Sequence, residues 1–212
     1  MFDDLLFDLD GTLTDSFDGI TNSVLYALDK MGEPLPDKSA LKFFIGPPLS
    51  ESFAKLFGGD TDKAAKAVAC YREYYSTKGW AQNRVYDGVE QTLKELRSMG
   101  KRLFVATSKP EHFSLRIVAH FGLDKYFERV FGASFDSSRD TKDKVIAYAL
   151  TSSGINKAST VMIGDRHHDI DGAKTNSLRS IGVLYGYGSR DELTAAGADF
   201  IAATPADIIG LV

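Results

Sequence analysis

The chain has 212 residues, 43% of them hydrophobic, with 25 Lys and Arg against 29 Asp and Glu for a formal net charge of -4. That is long enough to bury a substantial core, carries no broad positive field for nucleic acid or an anionic membrane, and holds a single cysteine, Cys70, too few for an internal disulfide or a multi-cysteine zinc site. Asp3 and Asp4 stand where a secretory signal would be positive, and no apolar run approaches membrane-spanning length, so the expectation is a cytoplasmic protein without nucleic-acid or membrane partners.

The first element is a short apolar run, Leu5 to Phe7, followed directly by Asp8 and Asp10 in "LLFDLDGT". Ending a buried strand in two acids costs desolvation and like-charge repulsion, so the arrangement calls for a function. Three helical patterns follow, "SFDGITNSVLYALDKMG", "LSESFAKLFG" and "TDKAAKAVACYREYYSTKG", each running to a glycine as helices commonly do. Gly46, Pro47 and Pro48 between the first two read either as helix punctuation or as a substrate contact, and "YREYY" reads as a packed helix face. Beyond them, strand-like runs at 102–107, 129–133, 159–165 and 179–186 alternate with helical stripes. The stripes carry Val89, Leu93 and Leu96 in one case, and Val145, Ile146, Ala149 and Leu150 in another. Alternation of this kind predicts an α/β fold, a doubly wound parallel sheet with a Rossmann-like core. Residues 16–82 break the alternation and read as an inserted helical cap of roughly four helices, leaving 1–15 and 83–212 as the core.

In an open parallel sheet, ligands sit beyond the carboxyl ends of the strands. Asp8, Thr107 and Asp165 lie at such ends, and Lys142 lies just past another. Asp8, Asp165 and Asp169 gathered in one crevice need a hard divalent cation to stay ionised together, with magnesium the natural candidate. Asp10, two residues after Asp8, is free to carry protons while Asp8 attacks, and Thr107 and Lys142 supply a hydroxyl and an ammonium for a transferred group. Read singly, Asp165 and Asp169 could be helix caps, Lys142 and Lys144 a solvated helix start, and Lys109 a crevice cation or a solvent-facing residue. Adjacent His167 and His168 diverge by about 100° on a helix and read as rim residues, not as a shared metal site. A calcium loop fails by register, because Leu6 and Phe17 would occupy ligand positions.

"DLDGTLTDS", "FVATSK", the lysine of "RDTKDK" and "IGDRHHD" together resemble the four motifs of the haloacid dehalogenase-like phosphatases, in the phosphoglycolate phosphatase-like branch with a helical cap. The resemblance implies Asp8 as nucleophile, Asp10 as general acid and base, and Thr107, Ser108 and Lys142 as phosphate-binding residues. It implies Mg2+ held by Asp8, Asp165, Asp169 and the backbone carbonyl of Asp10. The expected reaction is hydrolysis of a small phosphate monoester through an aspartyl phosphate, with the cap closing over the crevice. Phosphoglycolate is the first substrate expected and a nucleoside 5′-monophosphate the second, with a sugar phosphomutase as the alternative. A signalling receiver shares the acids, the threonine and the lysine but lacks the insertion and the second acid two residues after the first.

Overall fold

Strand β1 (Asp4–Phe7) is buried along its whole length because a parallel strand pairs with it on each side. The computed structural model describes residues 2–134, 136 and 138–212. Along the chain after β1 come β2 (Thr14–Asp15), α1 (Phe17–Lys30), α2 (Leu49–Leu56), α3 (Thr61–Thr77), β3 (Arg84–Val85), α4 (Val89–Ser98), β4 (Arg102–Pro110) and α5 (Glu111–His120). Then follow β5 (Arg129–Ala133), α6 (Lys142–Ser152), β6 (Thr160–Gly164), α7 (His167–Thr175), β7 (Arg179–Val183), α8 (Arg190–Ala196) and β8 (Phe200–Ala202). These elements form two compact units, one of Met1–Thr14 with Val85–Val212 and one of Asp15–Arg84.

The first unit is built on a six-stranded sheet in the order β5-β4-β1-β6-β7-β8, every pair parallel. The chain winds outward from β1 through β4 to β5, returns to the far side of β1 as β6, and winds outward again. The winding therefore reverses at β1, the topological position where such sheets open a crevice at their carboxyl ends. The helical stripes behave as their periodicity requires. Val145, Ile146, Ala149 and Leu150 of α6 form one buried cluster with Leu6, Phe104, Phe131 and Met162 of the sheet, while Val89, Leu93 and Leu96 bury the face of α4.

The strands depart from the pattern reading in places, as where β4 runs on past 107 to Pro110. β7 ends at Val183, and residues 184–188 leave the sheet although they continue the apolar run. β8, only three residues long, was not expected at all, since "FIA" is too short to show a period.

The second unit contains, among its described residues, three α-helices and two 3-10 turns, Lys38–Phe44 and Gly79–Ala81, where the sequence suggests roughly four helices. Gly46 has φ +106° and Pro48 precedes the first residue of α2, so the Gly-Pro-Pro stretch does separate two helical segments. Tyr71 and Tyr75 stack at 5.3 Å on the buried face of α3. Cys70 beside them is half-buried. Of the three glycines at helix ends, Gly32 and Gly58 take the expected left-handed conformation. Gly79 does not, and its reason is contact: a Cβ there would come within 2.5 Å of Ser23 Oγ and 3.0 Å of the Gly19 carbonyl oxygen. The chain enters and leaves this unit through β2 and β3, which pair as a two-stranded sheet.

Candidate active site

Asp8 follows β1, and its backbone N–H donates to the Ile163 carbonyl of β6 at 2.9 Å, so the ladder that builds the sheet also places the first acid. Asp165 follows β6 on the same edge, and Asp169 lies in the first turn of α7. One carboxylate oxygen from each of Asp8, Asp165 and Asp169 lies within 4.8 Å of the other two, and all three side chains are buried.

Glycines make this crowding possible. Gly11 sits at φ +89°, and a Cβ there would overlap the Asp165 carboxylate, so the position is closed to other residues by conformation and by space alike. A Cβ on Gly164 would overlap the Asp169 carboxylate, and one on Gly186 would overlap both Asp165 and the Gly11 carbonyl. Residues 184–188 leave the sheet to wrap Asp165, with the Tyr187 N–H donating to its Oδ2 at 2.7 Å.

The acids are unequally served. Lys142, the first residue of α6, is 6% exposed, donates to Asp8 Oδ1 at 2.6 Å and to the Ala106 carbonyl at 3.0 Å, and stands 2.7 Å from Asp169 Oδ1. Burial pulls this lysine's pKa down, but the Asp169 and Asp8 carboxylates outweigh burial and hold it raised. Asp169 Oδ2 also accepts from the Arg166 N–H at 3.1 Å, closing a capping box, so the helix-cap reading and the crevice reading of this residue both describe it. Asp165 Oδ1 is buried with no hydrogen-bond partner. Burial first, then the charges of Asp169 and Asp8, push the Asp165 carboxyl well above the usual range. Burial likewise pushes Asp169 up to about 6 against the opposing pull of Lys142. Three hard oxygen donors with surplus negative charge and an unserved buried oxygen fit a hard divalent cation.

Asp10 stands apart from this cluster. Its carboxylate is not among the three that converge, and its Oδ2 accepts from Lys109 Nζ at 2.5 Å with both side chains buried. Lys109 is buried and lies on the stretch between Ala106 and Pro110 where β4 shifts its register with β5. Thr107, on the same irregular stretch, is buried and accepts from the Lys109 N–H through its Oγ1 at 3.3 Å. Ser108 between them is half-buried and makes no hydrogen bond to the carboxylates among the described residues. Lys144, the rival to Lys142, is exposed and pairs with Asp140 at 2.9 Å.

His167 and His168 are half-buried and their rings lie 3.8 Å apart, and burial ahead of His167 and Arg166 pushes His168 down to about 4. Glu192 of α8 is a residue that no sequence signal marked. Its carboxylate accepts from the His167 N–H at 2.9 Å and from Arg166 Nε at 2.8 Å, tying down the start of the helix that carries Asp169.

The family model described as haloacid dehalogenase-like hydrolase matches residues 5–183. The chain belongs to the haloacid dehalogenase-like hydrolases. This hydrolase is 45% identical over 194 residues to a 5′-nucleotidase of Pseudomonas aeruginosa, covering 92% of this chain and 88% of the relative. It is 43% identical over 187 residues to the tyrosine-protein kinase PtkA of Mycobacterium tuberculosis, covering 88% of this chain and 64% of that one. Its fold matches a crystal structure described as a predicted phosphatase from Clostridium acetobutylicum with a TM-score of 0.95 at 45% identity, covering 100% and 98% of the two chains. Relatives named phosphoglycolate phosphatase stand further off, at 26% and 30% identity. Among the described residues no helix is long and apolar enough to cross a membrane.

Proposed function

We propose that this hydrolase removes phosphate from a small phosphate monoester through an aspartyl phosphate on Asp8, with a nucleoside 5′-monophosphate as the leading substrate. The observation that carries the reading is the pairing of two acids two residues apart with different lysines: Asp8 with Lys142 and Asp10 with Lys109. One acid is thereby set among the metal-binding carboxylates, and the other is set outside them to handle protons.

Asp8, Asp165 and Asp169, with the Asp10 carbonyl, would hold Mg2+, which supplies the positive charge that lets a phosphate dianion approach three carboxylates. Lys142, Thr107 and Ser108 would bind the phosphoryl oxygens. An Asp8 oxygen forms a bond to phosphorus as the bond to the leaving oxygen breaks, and Asp10 gives that oxygen its proton. Water then attacks the same phosphorus, Asp10 takes the water's proton, the bond from Asp8 to phosphorus breaks, and inorganic phosphate leaves.

The nucleotide reading is supported by the 5′-nucleotidase relative, which covers most of both chains, and it takes precedence over the phosphoglycolate expectation on identity. The test is phosphate release, as kcat/KM, from nucleoside 5′-monophosphates, phosphoglycolate, sugar phosphates and pyrophosphate with Mg2+ and in chelator. A nucleoside monophosphate leading and activity lost in chelator are the expected results. Release no faster than an Asp8→Asn control from every ester would overturn the reading. An isomeric sugar phosphate formed in place of inorganic phosphate would show a mutase instead.

A further inference from the structure

We propose that Lys109 is a positioning residue for Asp10, holding its carboxylate in the orientation from which Asp10 exchanges protons with the leaving group and with water. The inference rests on the phosphatase reading above. Lys109 Nζ lies 2.5 Å from Asp10 Oδ2, and the two side chains are only 6% and 10% exposed. The residues are 99 apart in the chain, so no local turn brings them together. Burying an ammonium and a carboxylate is a poor means of stabilising a fold, because desolvation offsets most of the attraction. A pair retained under those terms at a strand's carboxyl end calls for a role in the crevice.

Three features show what that role is. The lysines divide the acids, with Lys142 serving Asp8 and Asp169 while Lys109 serves Asp10. Lys109 lies where β4 shifts its register between Ala106 and Pro110, and its N–H donates to Thr107 Oγ1 at 3.3 Å, tying the lysine's backbone to a proposed phosphate-binding side chain. Finally, Lys109 holds only one oxygen of Asp10: Oδ1 is buried with no hydrogen-bond partner.

A carboxylate gripped at Oδ2 presents Oδ1 in a fixed direction, which a proton-transferring group requires. The proton leaves Oδ1 for the departing oxygen as that oxygen's bond to phosphorus breaks and the Asp8 bond forms. It returns to Oδ1 from water as the Asp8 bond to phosphorus breaks. Lys109 keeps its own protons throughout.

The experiment compares kcat/KM for two esters that differ in their need for an acid. 4-Nitrophenolate departs without a proton, whereas the 5′-alkoxide of a nucleoside monophosphate does not, and loss of a general acid costs about 10²–10⁴-fold where it is needed. Lys109→Met is expected to lower kcat/KM about 100-fold on the nucleotide and less than about fivefold on 4-nitrophenyl phosphate. Lys109→Arg should recover at least about tenfold of the nucleotide loss, and Lys109→Met added to Asp10→Asn should cost nothing further.

Equal losses on the two esters, or full additivity in the double variant, would overturn the inference, since a merely structural lysine predicts both. If Asp10→Asn discriminates the esters and Lys109→Met does not, the inference fails alone. If Asp10→Asn itself does not discriminate, the role of Asp10 in the phosphatase reading fails and takes the inference with it. Should Lys109→Met not fold, Lys109→Arg decides: a loss confined to the nucleotide supports positioning, and an equal loss on both esters overturns it.

Discussion

Strand β1 carries a buried aspartate at its amino end and another just past its carboxyl end, and the two are treated in opposite ways. Asp4 is fully buried, yet both of its oxygens are served: Arg102 Nε donates to Oδ1 at 2.6 Å and Arg102 Nη2 to Oδ2 at 2.7 Å, with the Asn156 N–H also near Oδ2 at 3.3 Å. The register that sets Asp4 opposite Arg102 makes this pair inevitable once the sheet forms. Asp8 shares its end of the sheet with Asp10, Asp165 and Asp169, and among the described residues Lys109 and Lys142 pair with three of those four acids while the Arg166 charge acts on Asp165. One end is electrically balanced and fully bonded, whereas the other keeps surplus charge and unserved oxygens. Balance fits the amino end to a structural role, and surplus fits the carboxyl end to holding a cation.

If the comparison is right, the two ends separate activity from stability. The largest effect belongs to Asp8→Asn, which should reduce phosphate release at least about 10³-fold and abolish phosphoenzyme, while the urea midpoint does not fall. A midpoint drop with activity retained would reverse the two roles. Next comes Arg102→Met, which strands the Asp4 charge. Unpairing a fully buried ion costs about 3–5 kcal/mol, and the 45% exposed guanidinium lets water relieve part of it, so about 2–3 kcal/mol is expected by urea unfolding. Specific activity of the folded Arg102→Met protein should stay within about twofold of wild type, as the change lies at the far end of the strand.

A smaller effect sharpens the surplus-charge argument through pH. The folded state holds Asp169 at about 6 against an ordinary 3.8, so it binds that proton more tightly than the unfolded chain does. Wild-type stability in chelator therefore falls, through this group, as pH rises from about 4 to about 6. Asp169→Asn should melt above wild type in chelator at pH 7, with the gap closing as pH drops through 6 towards 4. His168, held neutral down to about 4, acts with the opposite sign over the same range, but it is present in both proteins and leaves the difference unchanged. Saturating Mg2+ should stabilise wild type and not the variant, and thermal melts across pH with and without the ion check both statements. The smallest effect is Lys144→Ala, which removes an exposed pair and should shift the melting midpoint by less than about 1 °C with full activity kept. Lys142→Ala, two residues earlier, should lose turnover in the same assay.

Much of this was legible from residue order alone. A continuous apolar run marked β1, period-3.6 burial marked α4 and α6, and the alternation of strand and helix implied the winding of the sheet, because each depends on neighbours within a few residues. The placing of Asp8 and Asp165 just past strand ends and of Asp169 at a helix start followed from the same local logic once the sheet was parallel.

What local pattern could not decide was which partner each buried charge would meet. Asp4 read only as amino-terminal negative charge, although Arg102 lies 98 residues away and closes a bidentate pair with it. Lys109 stood open between crevice and solvent until the fold set it against Asp10, and Lys142 and Lys144 are separated by their partners, buried Asp8 for the first and exposed Asp140 for the second. The close approaches at Gly11, Gly186 and Gly79 belong to the same class, since each glycine is required by an atom distant in the chain and not by its own turn alone. Burial is a property of a residue and its near neighbours, and a sequence shows it as a period. Pairing and contact belong to two residues brought together by the whole sheet, and only the tertiary structure decides them.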